Sequence, residues 1–224
     1  KNPAIFAQHR CHDLYLSFGG NIVKLIDELL GRSTGCANGM GGSASIHGPE
    51  INMFGHDGLM GSQIPIAVGY AFATKKNVLA VVGDASAEED YVLGAMGYAA
   101  TKKLPILFLC IDNGFSILTD VATRRNWKTT DVARSFGMEA VEITDDPWLI
   151  MHEAKQLAQK LPAYMNIHTV RWLWHAGTGK DNEPEWDRYA LIIEEMQKLG
   201  LDNKAKEIEQ NTKEKIDMLW AQQL

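Results

Sequence analysis

Asp84 and Asn113 are the residues whose type and placement first suggest chemistry. Asp84 follows Gly83 just beyond the apolar run Val78 to Val82 (VLAVV), and Asn113 follows Asp112 just beyond Ile106 to Ile111 (ILFLCI). Between Gly83-Asp84-Ala85 and Asp112-Asn113 lie residues 86 to 111, 26 in all. A short all-apolar run that stops at a polar residue is how a buried parallel strand looks, with a loop at its carboxyl end. A carboxylate and an amide oxygen at neighbouring strand ends form a hard, all-oxygen pair, which suits magnesium with a phosphate completing the octahedron. Ser86 and the first turn of a following helix would offer backbone N–H groups to that phosphate. The same two side chains would also serve as loop caps, and spacing alone leaves both readings open.

The elements that must position this pair follow from periodicity. Ala87 to Thr101 reads as a helix between the two strands, so the unit is strand–helix–strand and the sheet is parallel and doubly wound, with ligands at the carboxyl ends of its strands. Upstream, residues 21–30 (NIVKLIDELL) place apolar side chains at helical spacing up to Gly31. The glycine-rich stretch 31–48 is expected as a packed loop, and residues 61–74 as a buried helix rich in small residues. Downstream, a helix is expected at 130–136, a strand at 140–143, a helix at 148–160 and a strand at 164–174. Charged amphipathic helices at 186–199 and 203–223 would form an outer arm, which divides the chain into residues 1–185 and 186–224.

Composition narrows the class. The formal net charge is -6 and 46% of the residues are hydrophobic. An acidic balance argues against a nucleic-acid partner. The absence of any window of about 18 apolar residues argues against a membrane span. Three widely spaced cysteines, Cys11, Cys36 and Cys110, read as small buried hydrophobes in a reducing compartment. The first residues, Lys1-Asn2-Pro3-Ala4, do not read as a signal peptide, and they lack an initiator Met, so the sequence is expected to begin inside a longer chain.

Further segments, taken in order, carry a resemblance. GDA-x26-DN is similar to the thiamine diphosphate fingerprint. His9-Arg10-Cys11-His12 resembles an HRxH segment, and residues 28–43 (ELLGRSTGCANGMGGS) resemble ELLGR-x-TGC-x-x-G-x-GGS. Residues 55–73 (GHDGLMGSQIPIAVGYAFA), 104–117 (LPILFLCIDNGFSI) and 169–177 (TVRWLWHAG) extend the match. Together they resemble the alpha subunits of pyruvate, branched-chain 2-oxoacid and acetoin dehydrogenases, from about residue 8 to residue 190.

That resemblance implies a thiamine-diphosphate-binding fold and the cofactors thiamine diphosphate and Mg2+. It implies that Arg10, with His9 beside it, holds the terminal phosphate, and that Gly58 and Met60 present backbone groups to the aminopyrimidine. Asp84, Asn113 and the Phe115 carbonyl would bind the metal. Ala85 and Ser86 would offer N–H groups to the diphosphate, and Arg171 would hold a phosphate. His175 and His12 would be the acid–base groups. The reaction implied is decarboxylation of a 2-oxoacid with acyl transfer to a lipoyl-bearing acyltransferase. The glutamate that protonates the aminopyrimidine is expected from a beta subunit in an alpha2-beta2 tetramer, in the cytoplasm or the mitochondrial matrix.

The sequence departs from the family pattern at Ala85, at Ser45 with His47 two residues on, and at Ala176. It departs again in residues 122–137 (ATRRNWKTTDVARSFG), where Arg124 and Arg125 are expected as solvated loop charges rather than ligands of substrate or phosphate. Trp172 and Trp174 are expected on one strand face, and Arg171, Leu173 and His175 on the other. His152 and His168 match nothing and read as surface or packing residues. The alternative function is a non-oxidative acyloin or ketol transferase of split-transketolase type. A non-catalytic interaction subunit is the third reading, and retention of both Asp84 and Asn113 argues against it.

Overall fold

The computed structural model describes residues 3–55, 58–172 and 185–224. The strands in chain order are β1 (Ala4–Phe6), β2 (Met53–Phe54), β3 (Val78–Gly83), β4 (Ile106–Asp112), the short pair β5 (Phe115–Ser116) and β6 (Thr119–Asp120), β7 (Glu139–Thr144) and β8 (Ala163–His168). The helices are α1 (His12–Ser17), α2 (Ile22–Leu29), α3 (Gln63–Thr74), α4 (Asp90–Thr101), α5 (Val121–Arg124), α6 (Thr129–Ser135), α7 (Pro147–Leu157), α8 (Arg188–Lys198) and α9 (Asp202–Gln223).

Six strands form one sheet in the order β2-β1-β3-β4-β8-β7, and every neighbouring pair is parallel. Their side chains alternate between two apolar layers. Ala4, Phe6, Ala80, Val82, Phe108, Cys110 and Tyr164 pack with Ile64, Ala67, Val68 and Ala71 of α3 and Val92, Met96 and Ala99 of α4. On the opposite face Ile5 meets Tyr15 and Leu25 of α1 and α2, while Ala163, Met165 and Ile167 meet Leu157 of α7. Burial on both faces is why VLAVV and ILFLCI are continuously apolar. The α/β, doubly wound parallel sheet expected from the sequence is present. β1 lies between β2 and β3, so the chain reverses its winding there, and a crevice opens at the carboxyl ends of β1 and β3.

Most expected elements lie within a few residues of their observed bounds, and two differ. The helix expected from Ala87 begins at Asp90, because Ser86–Glu88 form a 3-10 turn first. The strand expected to reach Trp174 ends at His168, where the neighbours it pairs with also end, β4 at Asp112 and β7 at Thr144. Beyond them Thr169 still donates to the Asp112 carbonyl at 2.9 Å. Arg171 and Trp172 are therefore in irregular chain, and the expected division of their side chains between two strand faces does not hold for them. β1 and β2 were not expected, although β1 lies between β2 and β3 in the sheet.

No residue of α8 or α9 is buried. The last turn of α9 reaches α2's end, where Arg32 Nη1 donates to Gln223 Oε1 at 2.9 Å. No described helix is long and apolar enough to cross a membrane.

Candidate functional site

At the carboxyl ends of β1, β3 and β4 lies a cavity of about 520 Å³. His9, Arg10, His12, Met60, Asp84, Ala85, Ser86, Asn113, Phe115 and Arg171 all line it. A second cavity of about 800 Å³ shares His9 and Met60 with the first and adds Gly58 and the glycine-rich loop from Cys36 to His47. The structure thus gathers every expected site residue except His175, which lies outside the described residues.

Each position has a local cause. Asp84 is buried one residue beyond β3. A Cβ on Gly83 would come 3.0 Å from the side-chain oxygen Oε1 of Gln8. Ala85, which stands where the fingerprint has glycine, has φ -72° and ψ -39°. Any L residue adopts those angles, so that departure costs no backbone strain. Asn113 closes a small turn in which its Oδ1 accepts the Phe115 amide at 3.1 Å, and Asp112 Oδ1 accepts the Gly114 amide at 3.0 Å. Met60 is tied to α4, because the Tyr91 hydroxyl donates to its carbonyl. His12 Nε2 lies 3.2 Å from the Ser43 carbonyl. The Ser43 hydroxyl oxygen stands 3.0 Å from the same nitrogen.

Arg171 Nη2 donates to the Ile117 carbonyl at 2.6 Å, and its guanidinium lies 5.2 Å from the centre of the Phe115 ring. Two arginines, Arg10 and Arg171, therefore face the cavity opposite one buried carboxylate, Asp84. Burial pushes the Asp84 carboxyl up; its hydrogen bond with Arg124 opposes this, and Asp112 adds to the rise.

Arg124 and Arg125 correct the sequence reading. They are not solvated loop charges: their side chains are 14% and 4% exposed. Arg124 donates through Nη2 to Asp84 Oδ2 at 2.8 Å and through Nε to Glu88 Oε1 at 3.2 Å. Arg125 Nη1 donates to Glu88 Oε1 at 2.5 Å and to the Asp84 carbonyl at 3.0 Å. An arginine pair in a polar loop has no period, so no pattern separates a buried pair from a solvated one. His168 lies 2.8 Å from Glu142 Oε1 through Nε2, and His152 is exposed. Cys11 and Cys110 are buried and Cys36 is half-buried, all unpaired with one another.

Sequence reasoning also gave no role to Glu28. Its fully buried carboxylate accepts the amides of Ala37, Gly39, Gly41 and Gly42, and so fixes the wall of the second cavity. His47 Nδ1 accepts the Gly55 amide at 3.1 Å, and Nε2 stands 3.3 Å from Ser45 Oγ.

Among the described residues, no group of three or more His, Cys, Asp and Glu side chains is placed to hold a metal ion. A cation here would rest on one carboxylate together with amide, carbonyl and ligand oxygens, which is the donor set of a hard ion bound with a phosphate. One buried acceptor in the lining, Gln8 Oε1, has no hydrogen-bond partner. The cations, the oxygen donors and this unmatched acceptor fit a polar, phosphorylated ligand with its metal.

Comparison with known proteins agrees with this geometry. Pyruvate dehydrogenase E1 component subunit alpha-2 from Arabidopsis thaliana is 34% identical over 134 residues, covering 58% of this chain and 34% of that protein. The Rickettsia felis pyruvate dehydrogenase E1 component subunit alpha is 29% identical over 241 residues, covering 96% and 73%. The chain spans about a third of the length of its plant relatives and about half that of the mammalian ones. A transketolase structure from Campylobacter jejuni shares the fold, with a TM-score of 0.59 and 21% identity over 75% of this chain and 30% of that one. The profile of one family, the dehydrogenase E1 component, matches residues 1–181, and the chain belongs to that family.

Proposed function

We propose that this chain is the thiamine-diphosphate- and magnesium-binding alpha subunit of a 2-oxoacid dehydrogenase, active only with a beta subunit. The observation that carries the reading is the convergence of Arg10, Met60, Asp84, Ser86, Asn113 and Arg171, from five separate segments, on one cavity. Asp84, Asn113 and the Phe115 carbonyl would hold the dication. Arg10, Arg171 and the amides of Ala85 and Ser86 would hold the diphosphate, arginine by its paired donors. Gly58 and Met60 would seat the aminopyrimidine in the second cavity, with His9 at the junction. Bound there, thiamine diphosphate supplies the electron sink for decarboxylation.

The chain's own contribution is placement and proton handling. His12 would be one acid–base group, its ring held through Nε2 by Ser43. His175 remains a second acid–base candidate on sequence grounds. The family resemblance assigns the acid that protonates the aminopyrimidine to another chain, and no carboxylate lines the second cavity among the described residues. That supports dependence on a beta subunit in an alpha2-beta2 assembly, with a lipoyl-bearing acyltransferase as acyl acceptor. Residues 186–224 are read as an arm appended to the cofactor-binding unit. Pyruvate is the first 2-oxoacid to test, because the relatives' names carry it.

The test is co-purification with a beta subunit, followed by 2-oxoacid-dependent reduction of an artificial electron acceptor. Turnover should require the partner, thiamine diphosphate and Mg2+. Full turnover by the isolated chain, or none by the complex with any 2-oxoacid, would overturn the reading.

A further inference from the structure

The buried charges around Asp84 carry a consequence for how the site would accept its metal. Five ionisable side chains meet there, Arg124 and Arg125 against Asp84, Glu88 and Asp112: two bases and three acids. Arg124 reaches in from the last residue of α5, a helix capped by Asp120, whose Oδ1 accepts the Thr123 amide. Its third donor, Nη1, is anchored on the Thr119 carbonyl at 2.8 Å. The guanidinium thus joins Asp84 Oδ2 to Glu88 and to the segment that follows Asn113 and Phe115.

A hard dication on Asp84 Oδ2, at about 2.0–2.1 Å, would stand beside the Arg124 guanidinium, which holds the same oxygen at 2.8 Å. Two cations on one oxygen also repel each other strongly where water is excluded. Arg125 is different, because it touches the Asp84 carbonyl and Glu88 and leaves the Asp84 carboxylate oxygens alone.

We propose that Arg124 is a positioning residue that competes with the divalent cation for Asp84 Oδ2, so that metal loading is an exchange in which the cation replaces the guanidinium. Arg124 keeps the carboxylate compensated until then, with Glu88 and the Thr119 carbonyl as its remaining partners afterwards. The guanidinium therefore weakens metal affinity and ties the Phe115–Arg124 segment to the loading step. This rests on the metal site proposed above.

The experiment is Mn2+ binding to the full chain in its purified complex, with thiamine diphosphate present, followed by the electron paramagnetic resonance of free Mn2+. Arg124→Met should bind Mn2+ at least about fivefold more tightly than wild type, within the range usual for one coupled contact. Arg124→Lys, which keeps the charge but cannot form the fork, should fall between them and carries the test if the methionine variant does not fold. Unchanged or weaker binding in the variants, with wild type binding normally, would overturn the exchange and leave the metal site standing. If wild type binds no Mn2+, or Asp84→Asn binds it as well as wild type does, the metal site fails and the exchange fails with it.

Discussion

The Gly41 amide donates to Glu28 Oε1 at 2.7 Å across thirteen residues of chain. Gly42 shares that oxygen at 3.0 Å, and Ala37 and Gly39 donate to Oε2 at 2.7 and 2.9 Å. A loop that wraps a carboxylate this closely has no space for side chains: a Cβ on Gly35 would lie 2.4 Å from Glu28 Oε2. Glu28→Ala leaves four amide donors without their acceptor, and an unmatched buried donor costs about 1–3 kcal/mol. The expected loss is at least about 3 kcal/mol in urea unfolding. A loss below about 1 kcal/mol would show that water replaces the carboxylate and that Glu28 is not the clamp.

The same carboxylate gives stability a pH dependence. Burial pushes Glu28 up, the four amide donors outweigh it, and the result lies below the ordinary glutamate value of 4.5. Glu142 moves the same way: burial raises it and the hydrogen bonds from His168 and Lys128 prevail. A depressed folded value means the unfolded chain takes up protons first as pH falls. These contributions are therefore fully present at neutral pH and are lost below about pH 4.5, through the folded values. Urea midpoints from pH 7 to pH 3 should fall more steeply for wild type than for Glu28→Gln below pH 4.5. Parallel curves would count against the assignment.

The departure at Ala85 predicts an outcome opposite to a restoration of the fingerprint. With φ at -72°, glycine gains nothing there and adds freedom to the unfolded chain. Ala85→Gly should lower stability by roughly 0.4–1 kcal/mol and leave thiamine diphosphate affinity within about twofold, which is under 0.5 kcal/mol. A large gain in affinity on calorimetry would mean that the diphosphate needs a backbone shape alanine resists.

What the sequence made legible follows the strength of local signals. VLAVV and ILFLCI are long enough, and apolar enough on both faces, to declare parallel strands, and their polar ends placed Asp84 and Asn113. β1 has three residues and β2 two, too short for any period to register, so the β2 edge of the sheet and the strand beside it were invisible. The end of β8 was misjudged because it depends on where β4 and β7 stop, which is tertiary information. Arg124 and Arg125 failed for the same reason: their burial is decided by Asp84 and Glu88, about 40 residues away in sequence. Glu28 was quoted within a motif, yet nothing in the motif says that its side chain turns back on the loop that follows.

Arg171 and His175 should separate in their effects. Arg171 lines the cavity from irregular chain past β8. Losing one charge-assisted contact costs about 1.5–3 kcal/mol, so Arg171→Ala should weaken thiamine diphosphate binding roughly tenfold or more, with a smaller effect on turnover at saturation. His175→Ala should instead cut turnover by about two to four powers of ten and leave cofactor affinity nearly unchanged. If His175→Asn restores turnover, the residue positions the site and transfers no proton.

In the proposed site, Asp84 anchors magnesium and thiamine diphosphate in this cavity. Titration calorimetry of the purified complex, with thiamine diphosphate added in the presence and absence of Mg2+, tests it most directly. Asp84→Asn keeps the side chain's volume and an oxygen for Arg124, so the fold should survive and only the charged ligand is removed. Wild type should bind the cofactor in a Mg2+-dependent manner, and Asp84→Asn should lose at least about a hundredfold in affinity, close to 2.7 kcal/mol. Equal, Mg2+-dependent affinity in the two proteins would contradict the assignment of Asp84 and with it the site.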